Sequence, residues 1–455
     1  MQRRQFLQHS GLGFSSIALA SLAPQQTSAN QPNFTSPFTP RETHHPPKAK
    51  RVIFLCMKGG PSHLDMFDYK PKLQQMDNQP YRDGSNQKWL GSIWGAKRYG
   101  QGAISVSDLL PQLAKQADKL CMLNGMHTDT PEHAAALDFL HTGSFQFIRP
   151  SMGAWALYGL GASNSNLPGF IAINPPTLLG GAKYYGSSFL PAAYQGTPVG
   201  GNNLPMSRVE VNDIANPRLD RKEQRTNLDL LQTMNRQLLA TRGESPEIQG
   251  VIESFELGYR MQEALPEVMD LDKEPESSRK LYGLDNNESR NFGHQCLLAR
   301  RFVEAGVRFI QCTYDGWDLH GGIGGGMPRR CAGIDQPIAG LLQDLGQRGL
   351  LDETLVVWGG EFGRTPYDGT RDGRGHNSTG FSMFLAGAGV KAGFRHGATD
   401  EFGQHAVDGK VHIHDLHATI LHLLGLDHTR LTYPWAGRDF RLTDVHGKIV
   451  SEILT

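Results

Sequence analysis

The sequence predicts an α/β fold, a three-layer α/β/α sandwich built around a largely parallel sheet. Apolar runs rich in β-branched residues lie at 52–57 and 355–358, a pattern typical of strands that are buried on both faces. A segment with apolar residues at helical spacing, 334–349, precedes the second run and stops at a glycine. Helices that alternate with buried strands indicate a parallel sheet covered by helices on both sides.

The same patterns place the other elements. A loop-rich region at about 175–290 contains two amphipathic segments, 221–239 and 246–264, interpreted as core-packing or lid helices. We treat this region as an insertion in one domain that covers 50–455. The segment 106–120 alternates like an amphipathic helix. Further strands are predicted at three apolar runs, 170–173, 307–313 and 381–386.

Charge and cysteine content narrow the class of protein. The chain has 455 residues, with 45 basic and 45 acidic side chains, so nothing indicates nucleic acid or an anionic membrane as the main partner. The 18 histidines make metal or acid–base chemistry worth testing. Five cysteines, an odd number without C-x-x-C spacing, predict buried free thiols and no disulfide framework.

The N-terminus resembles a twin-arginine export signal. Arg3 and Arg4 are followed by Phe-Leu and a weakly apolar run that ends at Ala23. We therefore expect residues 1–29 to engage the twin-arginine export machinery and the mature protein to be periplasmic or secreted; the cleavage position stays open. The apolar run is too short and too broken for a permanent membrane span. Residues 30–49 are polar and proline-rich, which predicts a disordered linker.

Ligand-type side chains crowd the loop after the first strand. His63 and Asp65 follow a Gly-Gly-Pro turn there and are candidate metal ligands. The alternative is that Ser62 and Asp65 only cap the turn. We place the metal-binding interpretation ahead because the loop leaves the first buried strand.

Two further strand-exit loops bear acidic and histidine residues. Asp318 and His320 form an Asp-x-His pair after the strand at 307–313, a pattern common in metal sites. Glu361 lies just past the strand at 355–358, where open α/β sheets bind ligands. His376 follows in the next loop. The sequence therefore predicts that these side chains share one cleft.

A segment before a predicted helix offers candidates for catalysis. Thr130 precedes Pro131 and Glu132, which favour a helix start with Thr130 as N-cap. The free N–H groups of a helix N-terminus suit an oxyanion. Thr128 or Thr130 is a candidate nucleophile, although capping alone explains Thr130 about as well. His133 is a candidate ligand or base.

These segments together resemble the alkaline-phosphatase-like superfamily, which includes sulfatases and phosphomonoesterases. Within it, the chain is similar to the exported domain-of-unknown-function family 1501. The resemblance covers nearly everything from about residue 50 onward. The segments that support it are 57–68, 316–320, 359–366, 375–377, 385–390 and 415–420.

The resemblance implies an exported, metal-dependent hydrolase of phosphate or sulfate esters, with a small-molecule or polysaccharide substrate. Thr128, Thr130 or His133 would lie beside the metal, and Arg364 would bind a nonbridging oxygen. A divalent metal (zinc, calcium or manganese) would be held by residues of the strand-exit loops: Asp318, His320, Glu361 and His376, with His63 and Asp65 contributing.

The chain also departs from the superfamily pattern. The aspartate that sulfatases and phosphatases keep after the first strand is replaced by Lys58 or Gly59, and Glu361 is followed by Phe362 where an Asp-His pair is expected. No Cys-x-Pro-x-Arg motif is present near His133, so a formylglycine sulfatase is not expected. The alternative is a non-catalytic binding or scaffolding protein that keeps the fold with a partly lost metal site.

Overall fold

The computed structural model describes residue 36 and residues 38–455, except 202–203, 207–208, 210–213, 215–217, 244 and 371. The chain divides into two compact units, Met1–Ser36 and Pro37–Thr455. The helices, strands and site described all belong to the second unit. The predicted export signal, 1–29, lies outside the described residues. Within the described part, no helix is long and apolar enough to cross a membrane.

The second unit is built on a large central sheet. In chain order its strands are β1 (Arg51–Lys58), β2 (Leu120–His127), β3 (Phe170–Ile173), β4 (Thr197–Val199), β5 (Phe309–Asp315), β6 (Thr354–Gly359), β7 (Phe381–Ala386), β8 (Phe394–His396) and β9 (Val411–His412). Across the sheet their order is β8–β2–β7–β6–β1–β5–β3–β4, and β9 pairs with β2 as well. Every pairing is parallel except the two made by β7, with β2 and with β6, which confirms the largely parallel sheet predicted from the sequence.

Helices cover both faces of the sheet. The longer ones are α1 (His133–Thr142), α2 (Met152–Leu160), α3 (Arg221–Arg242), α4 (Pro246–Met269), α5 (Arg290–Glu304), α6 (Ile323–Gln347) and α7 (Ile413–Leu423), and shorter ones are Pro71–Gln75, Pro111–Ala114 and Glu276–Leu281.

Strand β1 shows how the layers pack. Ile53 and Leu55 lie in one core cluster with residues of α5 and α6, whereas Val52 and Phe54 lie in another with residues of α1, α2 and α7. All four side chains are fully buried, which stabilises the fold by about 1.5–3 kcal/mol per side chain. The three-layer prediction is therefore confirmed, and the five cysteines are buried free thiols, as predicted.

Short two-stranded ladders form separate small sheets outside the central sheet. One of them, Gly363–Arg364 with His376–Asn377, holds Arg364 opposite His376. The others are Tyr367–Asp368 with Lys88–Trp89, Ala96–Tyr99 with Ile104–Ser107, Ala398–Thr399 with Ala406–Asp408, and Tyr433–Trp435 with Arg438–Phe440.

The helix predicted at 106–120 is wrong. Ile104–Ser107 is a strand, and only the short helix Pro111–Ala114 and one 3-10 turn, Ala117–Lys119, follow it. Pro111 begins a new turn because its ring suits the first helical position. The apolar residues of the segment other than Leu109 are buried all the same, so their spacing fits this broken path as well as a helix.

The region at 175–290, predicted as a loop-rich and helical insertion, contributes strand β4 to the edge of the central sheet; that it is an insertion stays a prediction. Helices α3 and α4 in this region face each other through polar contacts. Arg225 donates to both oxygens of Glu256 at 2.8 and 2.9 Å, and Gln232 donates to the Ile252 carbonyl at 2.8 Å. Four apolar side chains of α3 are exposed, Leu230, Leu231, Met234 and Leu238, which disfavours core packing for them; the alternative of a lid helix stays a prediction.

The described part of the predicted linker makes backbone hydrogen bonds to the ends of two helices. The backbone N–H of Arg41 donates to Leu160 at 3.0 Å, and those of Lys48 and Ala49 donate to Leu423 at 2.9 and 2.8 Å. Leu160 and Leu423 are the last residues of α2 and α7, where helices leave carbonyl groups without intrahelical partners. The polar, extended segment supplies the missing donors.

Candidate functional site

The site lies where β1, β5 and β6 end. Gly59 follows β1 with φ at +112°, and a side chain there would come within 2.7 Å of the Asp318 nitrogen. Glycine is therefore required, because it alone adopts this backbone conformation readily and leaves room for the neighbouring loop. The close approach brings the loop that bears Asp318 against the turn after β1, whose Gly59 N–H also donates to Glu361.

Three ligand-type side chains converge there: His133, Asp318 and His376. One atom of each lies within 4.8 Å of the other two. Asp318 Oδ1 is 3.2 Å from His133 Nε2 and 3.3 Å from His376 Nε2. His320 Nε2 adjoins the group, 3.0 Å from Asp318 Oδ1 and 2.8 Å from His376 Nε2. We call these four residues the histidine–aspartate cluster.

The outer ring nitrogens of two histidines are held by fixed acceptors. His376 Nδ1 donates to the Pro131 carbonyl at 2.6 Å, so its proton is on Nδ1 and Nε2 keeps a lone pair. His133 Nδ1 donates to Glu361 at 2.6 Å. His133 Nε2 is buried and, among the described residues, contacts Asp318 Oδ1 at 3.2 Å without a well-aligned hydrogen bond. Both Nε2 atoms therefore face the centre of the cluster as potential ligands.

Glu361 supports the cluster through its hydrogen bond with His133 Nδ1. It is fully buried, and its two oxygens accept from the Gly59 N–H at 2.9 and 3.2 Å. With His133 as its other partner, Glu361 orients a ligand-type residue. Glu361 is not among the three residues whose ligand atoms converge, and its predicted role as a direct ligand stays a prediction.

Arg364 is also committed to structure. Its buried guanidinium donates to Asp318 Oδ1 at 2.7 Å, to the Gly60 carbonyl at 2.8 Å and to the Arg374 carbonyl at 3.1 Å. These acceptors occupy its N–H groups, so the structure gives no support to the predicted role as a clamp for a substrate oxygen, which stays a prediction. The guanidinium instead orients Asp318.

Charge in the cluster follows from these contacts. Burial alone would raise the pKa of Asp318, but Arg364 and His133 outweigh it and hold that pKa well below its usual range. Burial would lower the pKa of His133, but the carboxylates of Glu361 and Asp318 raise it. The pKa of His376 is lowered by burial and by the nearby Arg364. Asp318 is therefore an anion and His376 a neutral imidazole.

His63 and Asp65 do not reach the cluster. Asp65 accepts two hydrogen bonds from Arg374, at 2.7 and 3.0 Å, and one from the Ser62 hydroxyl at 2.5 Å. His63 is buried, and its Nε2 is 2.8 Å from the Gly403 carbonyl. A buried guanidinium already neutralises Asp65, so the structure gives no support to the predicted metal role of these two residues, which stays a prediction.

The threonines take no part in the contacts described for the cluster. Helix α1 begins at His133 with Glu132 as its N-cap, and the Glu132 carboxylate accepts from the N–H groups of residues 134 and 135. Thr130 is thus not the N-cap; its hydroxyl accepts from the Glu132 N–H at 3.2 Å. The Thr128 hydroxyl is buried without a partner among the described residues. The Glu132 carboxylate therefore occupies the helix N-terminal N–H groups that were expected to bind an oxyanion.

Sequence reasoning missed two neighbours of the cluster. The Phe362 ring packs on His133 and His376, with ring centroids 4.7 and 4.8 Å apart; its signal was the aromatic residue directly after Glu361. Lys58 pairs with Asp315 at 2.6 Å beside a cavity of about 160 Å³. That pair was not predictable, because the register of β1 against β5 creates it.

Solved structures that are similar to this chain include a sulfatase, a lipoteichoic acid synthase and an alkaline phosphatase. The PsFucS1 sulfatase from Pseudoalteromonas sp. is 12% identical over 90% of this chain and 72% of its own, with a TM-score of 0.40. The lipoteichoic acid synthase LtaP from Listeria monocytogenes is 10% identical over 88% and 75%, with a TM-score of 0.38. Alkaline phosphatase from the Antarctic bacterium TAB5 is 12% identical over 84% and 99%, with a TM-score of 0.33. At these TM-scores the three proteins support no conclusion about the chemistry of this chain.

A search of curated proteins found no match. A family model, by contrast, matches residues 49–454, nearly the whole second unit. The matched range includes every residue of the histidine–aspartate cluster. The chain belongs to the family described as "Protein of unknown function (DUF1501)".

Proposed function

We propose that this protein is a metal-dependent hydrolase of phosphate or sulfate esters. The observation that supports it is the convergence of His133 Nε2, Asp318 Oδ1 and His376 Nε2 within 4.8 Å at the ends of parallel strands. A tetrahedral ion with bonds of about 2.0–2.1 Å separates its ligand atoms by roughly 3.3 Å. The distances from Asp318 Oδ1, 3.2 and 3.3 Å, are close to that separation.

The chemistry of the donors favours zinc or manganese over calcium. Calcium takes six to eight oxygen ligands, whereas this cluster offers imidazole nitrogens and one carboxylate, a set that suits zinc. The buried Nε2 of His133 has no well-aligned hydrogen bond among the described residues and lies 3.2 Å from the Asp318 carboxylate, an environment that suits a bound cation. His320, whose side chain is 54% exposed, would complete the set on the solvent side.

The residues around the cluster would set its geometry. Glu361 fixes the ring of His133, the Pro131 carbonyl fixes His376, and Arg364 holds Asp318. When bound, the metal would polarise an ester oxygen and lower the pKa of a water molecule. We propose water as the nucleophile, because the Thr130 hydroxyl accepts the Glu132 N–H and the Thr128 hydroxyl is buried.

The test is metal content and ester turnover measured on one preparation. We expect about one zinc or manganese per chain, with hydrolysis of a nitrophenyl phosphate or a nitrophenyl sulfate. His376→Ala should lower the metal affinity by more than about 100-fold, because it removes a direct ligand. The matched control is His405→Ala, an exposed histidine whose Nδ1 is 2.9 Å from the Thr379 hydroxyl, and its metal content should not change. A wild-type protein that stays metal-free after incubation with both metals contradicts the proposal.

A second candidate is the non-catalytic binding or scaffolding protein. Two cations favour it: Arg364 already contacts Asp318 Oδ1 at 2.7 Å, and Lys58 stands where an acidic ligand was expected. In this case the side chains of the cluster would satisfy one another's charges and hydrogen bonds, and no metal would be needed. Metal-free protein, or metal-loaded protein that turns over neither ester, would support this candidate.

Export is a further part of the proposal, because Arg3 and Arg4 precede a weakly apolar run. The hydrolase would then act in the periplasm or outside the cell, on a small-molecule or polysaccharide ester. Changing both arginines to lysine should leave the precursor in the cytoplasm, as measured by fractionation. Unchanged export of that variant would contradict the twin-arginine route.

A further inference from the structure

A second cavity lies away from the cluster, between the ladder strand Ala96–Tyr99, strand β8 and the segment 67–71. Its volume is about 320 Å³, within the range of small-molecule sites. The residues around it share none with the histidine–aspartate cluster. Whatever binds there is therefore held by a separate set of side chains.

Unpaired positive charge lines this cavity. Lys97, Arg98 and Arg395 border it and are exposed. Within the described part of the chain, none of the three forms an ion pair with an acidic side chain. Like charges that share one cavity repel each other, and an anion placed between them removes that repulsion.

The acidic residue at the cavity does not neutralise these cations. Asp68 is bound by Lys70, with Nζ 2.9 Å from Oδ1, and its other oxygen accepts a hydrogen bond from the Thr399 hydroxyl. Its charge is thus balanced by a fourth cation. The net charge of the cavity stays positive.

The cavity also has polar, uncharged walls. Asn124 borders it and is 7% exposed, with Nδ2 donating to the Ser382 hydroxyl at 3.0 Å. Ser105 borders it opposite Arg98 in the ladder. Amide and hydroxyl groups beside unpaired guanidinium groups suit a tetrahedral oxyanion, because arginine donates forked hydrogen bonds to such groups.

We propose that this cavity binds a sulfate or phosphate group carried on a polyanionic polymer. A polymer fits better than a free ion because the three cations are exposed, so a chain can cross them while one of its charged groups enters the cavity. The inference goes beyond the proposed function and does not depend on it. The cavity would bind the polymer even if the cluster held no metal.

The probe is dextran sulfate, with neutral dextran, inorganic sulfate and inorganic phosphate as comparison arms, measured by calorimetry at low salt. We expect wild-type protein to bind dextran sulfate and not dextran. The double variant Arg98→Gln, Arg395→Gln should bind dextran sulfate about tenfold more weakly, because two charge-assisted contacts are lost. The control Lys222→Gln, Arg236→Gln makes the same change in net charge on exposed positions of α3 and should leave binding within about twofold.

Each other outcome overturns the proposal. Equal weakening in both double variants would mean attraction by overall charge, and no binding by the wild type would mean no site. Inorganic sulfate or phosphate that binds as tightly as dextran sulfate would mean a free-anion site. If the double variant melts lower than the wild type, the single variants Arg98→Gln and Arg395→Gln carry the same test. Because binding needs no turnover, failure here is distinguishable from failure of the hydrolase proposal.

Discussion

Two aspartates near the same end of the sheet have opposite surroundings. Asp65 and Arg374 are each 1% exposed and form a two-point ion pair. The Asp318 side chain is 45% exposed, and one of its oxygens faces three histidines. Each aspartate follows a strand and has a histidine two residues away, so in sequence both are candidate metal ligands.

The difference lies in what already balances the carboxylate. The Arg374 guanidinium saturates both oxygens of Asp65 in a site closed to water, so a cation has no free oxygen to bind. Arg364 contacts Oδ1 of Asp318, the same oxygen that faces the three histidines, and solvent reaches the side chain. A ligand-type residue becomes a candidate site when other donors converge on its carboxylate and a guanidinium does not occupy both of its oxygens.

The largest effect is expected from Asp65→Asn. Removing one partner of a buried ion pair leaves the Arg374 charge uncompensated, which should lower the free energy of unfolding by about 3–5 kcal/mol. Metal content should stay unchanged, because Asp65 lies outside the cluster. Chemical denaturation and metal analysis measure the two quantities. The exposed Asp352→Asn serves as control, and a loss of metal without a loss of stability in Asp65→Asn would reverse the comparison.

An intermediate effect is expected from Glu361→Gln. The amide keeps the shape of the side chain but weakens the acceptor that orients His133, and loss of such a supporting contact lowers metal affinity by about 10–100-fold. Titration with a competing chelator measures the affinity. Complete loss of metal, equal to that of His376→Ala, would show that Glu361 is a direct ligand after all.

The smallest effect is expected from Thr130→Ala. Its hydroxyl accepts one hydrogen bond from a backbone N–H, so the free energy of unfolding should fall by about 0.5–1.5 kcal/mol. Metal content and ester turnover should match those of the wild type. An inactive Thr130→Ala that still binds metal would instead identify Thr130 as the nucleophile.

Much of the fold was predictable, because periodicity reports burial. The run at 355–358 and the helical spacing before it predicted β6 and the end of α6. The antiparallel direction of β7 was not predictable, since a continuous apolar run is compatible with either direction. The same limit applies to 106–120, where one apolar spacing fits both a helix and a strand followed by turns.

The site was predictable in its residue types and less so in their roles. Asp318, His320 and His376 were recognised as ligand-type residues on strand-exit loops, and the structure brings them together. His133 was predicted as a ligand or a base, and its Nε2 lies among the converging atoms. The partners that decide these roles, Arg374 for Asp65 and Gly59 for Glu361, are separated from them by about 300 residues in the chain, beyond the reach of local pattern.

The ordered segment before β1 has a consequence for when the fold can form. His44 donates to the carbonyl of Gly425 at 2.8 Å, and Lys48 and Ala49 donate to that of Leu423. The entry to the first strand is thus fastened to residues that the ribosome makes several hundred positions later. These contacts can form only after the ribosome has synthesised α7. Any step that requires the complete fold of this domain must therefore follow translation of that helix.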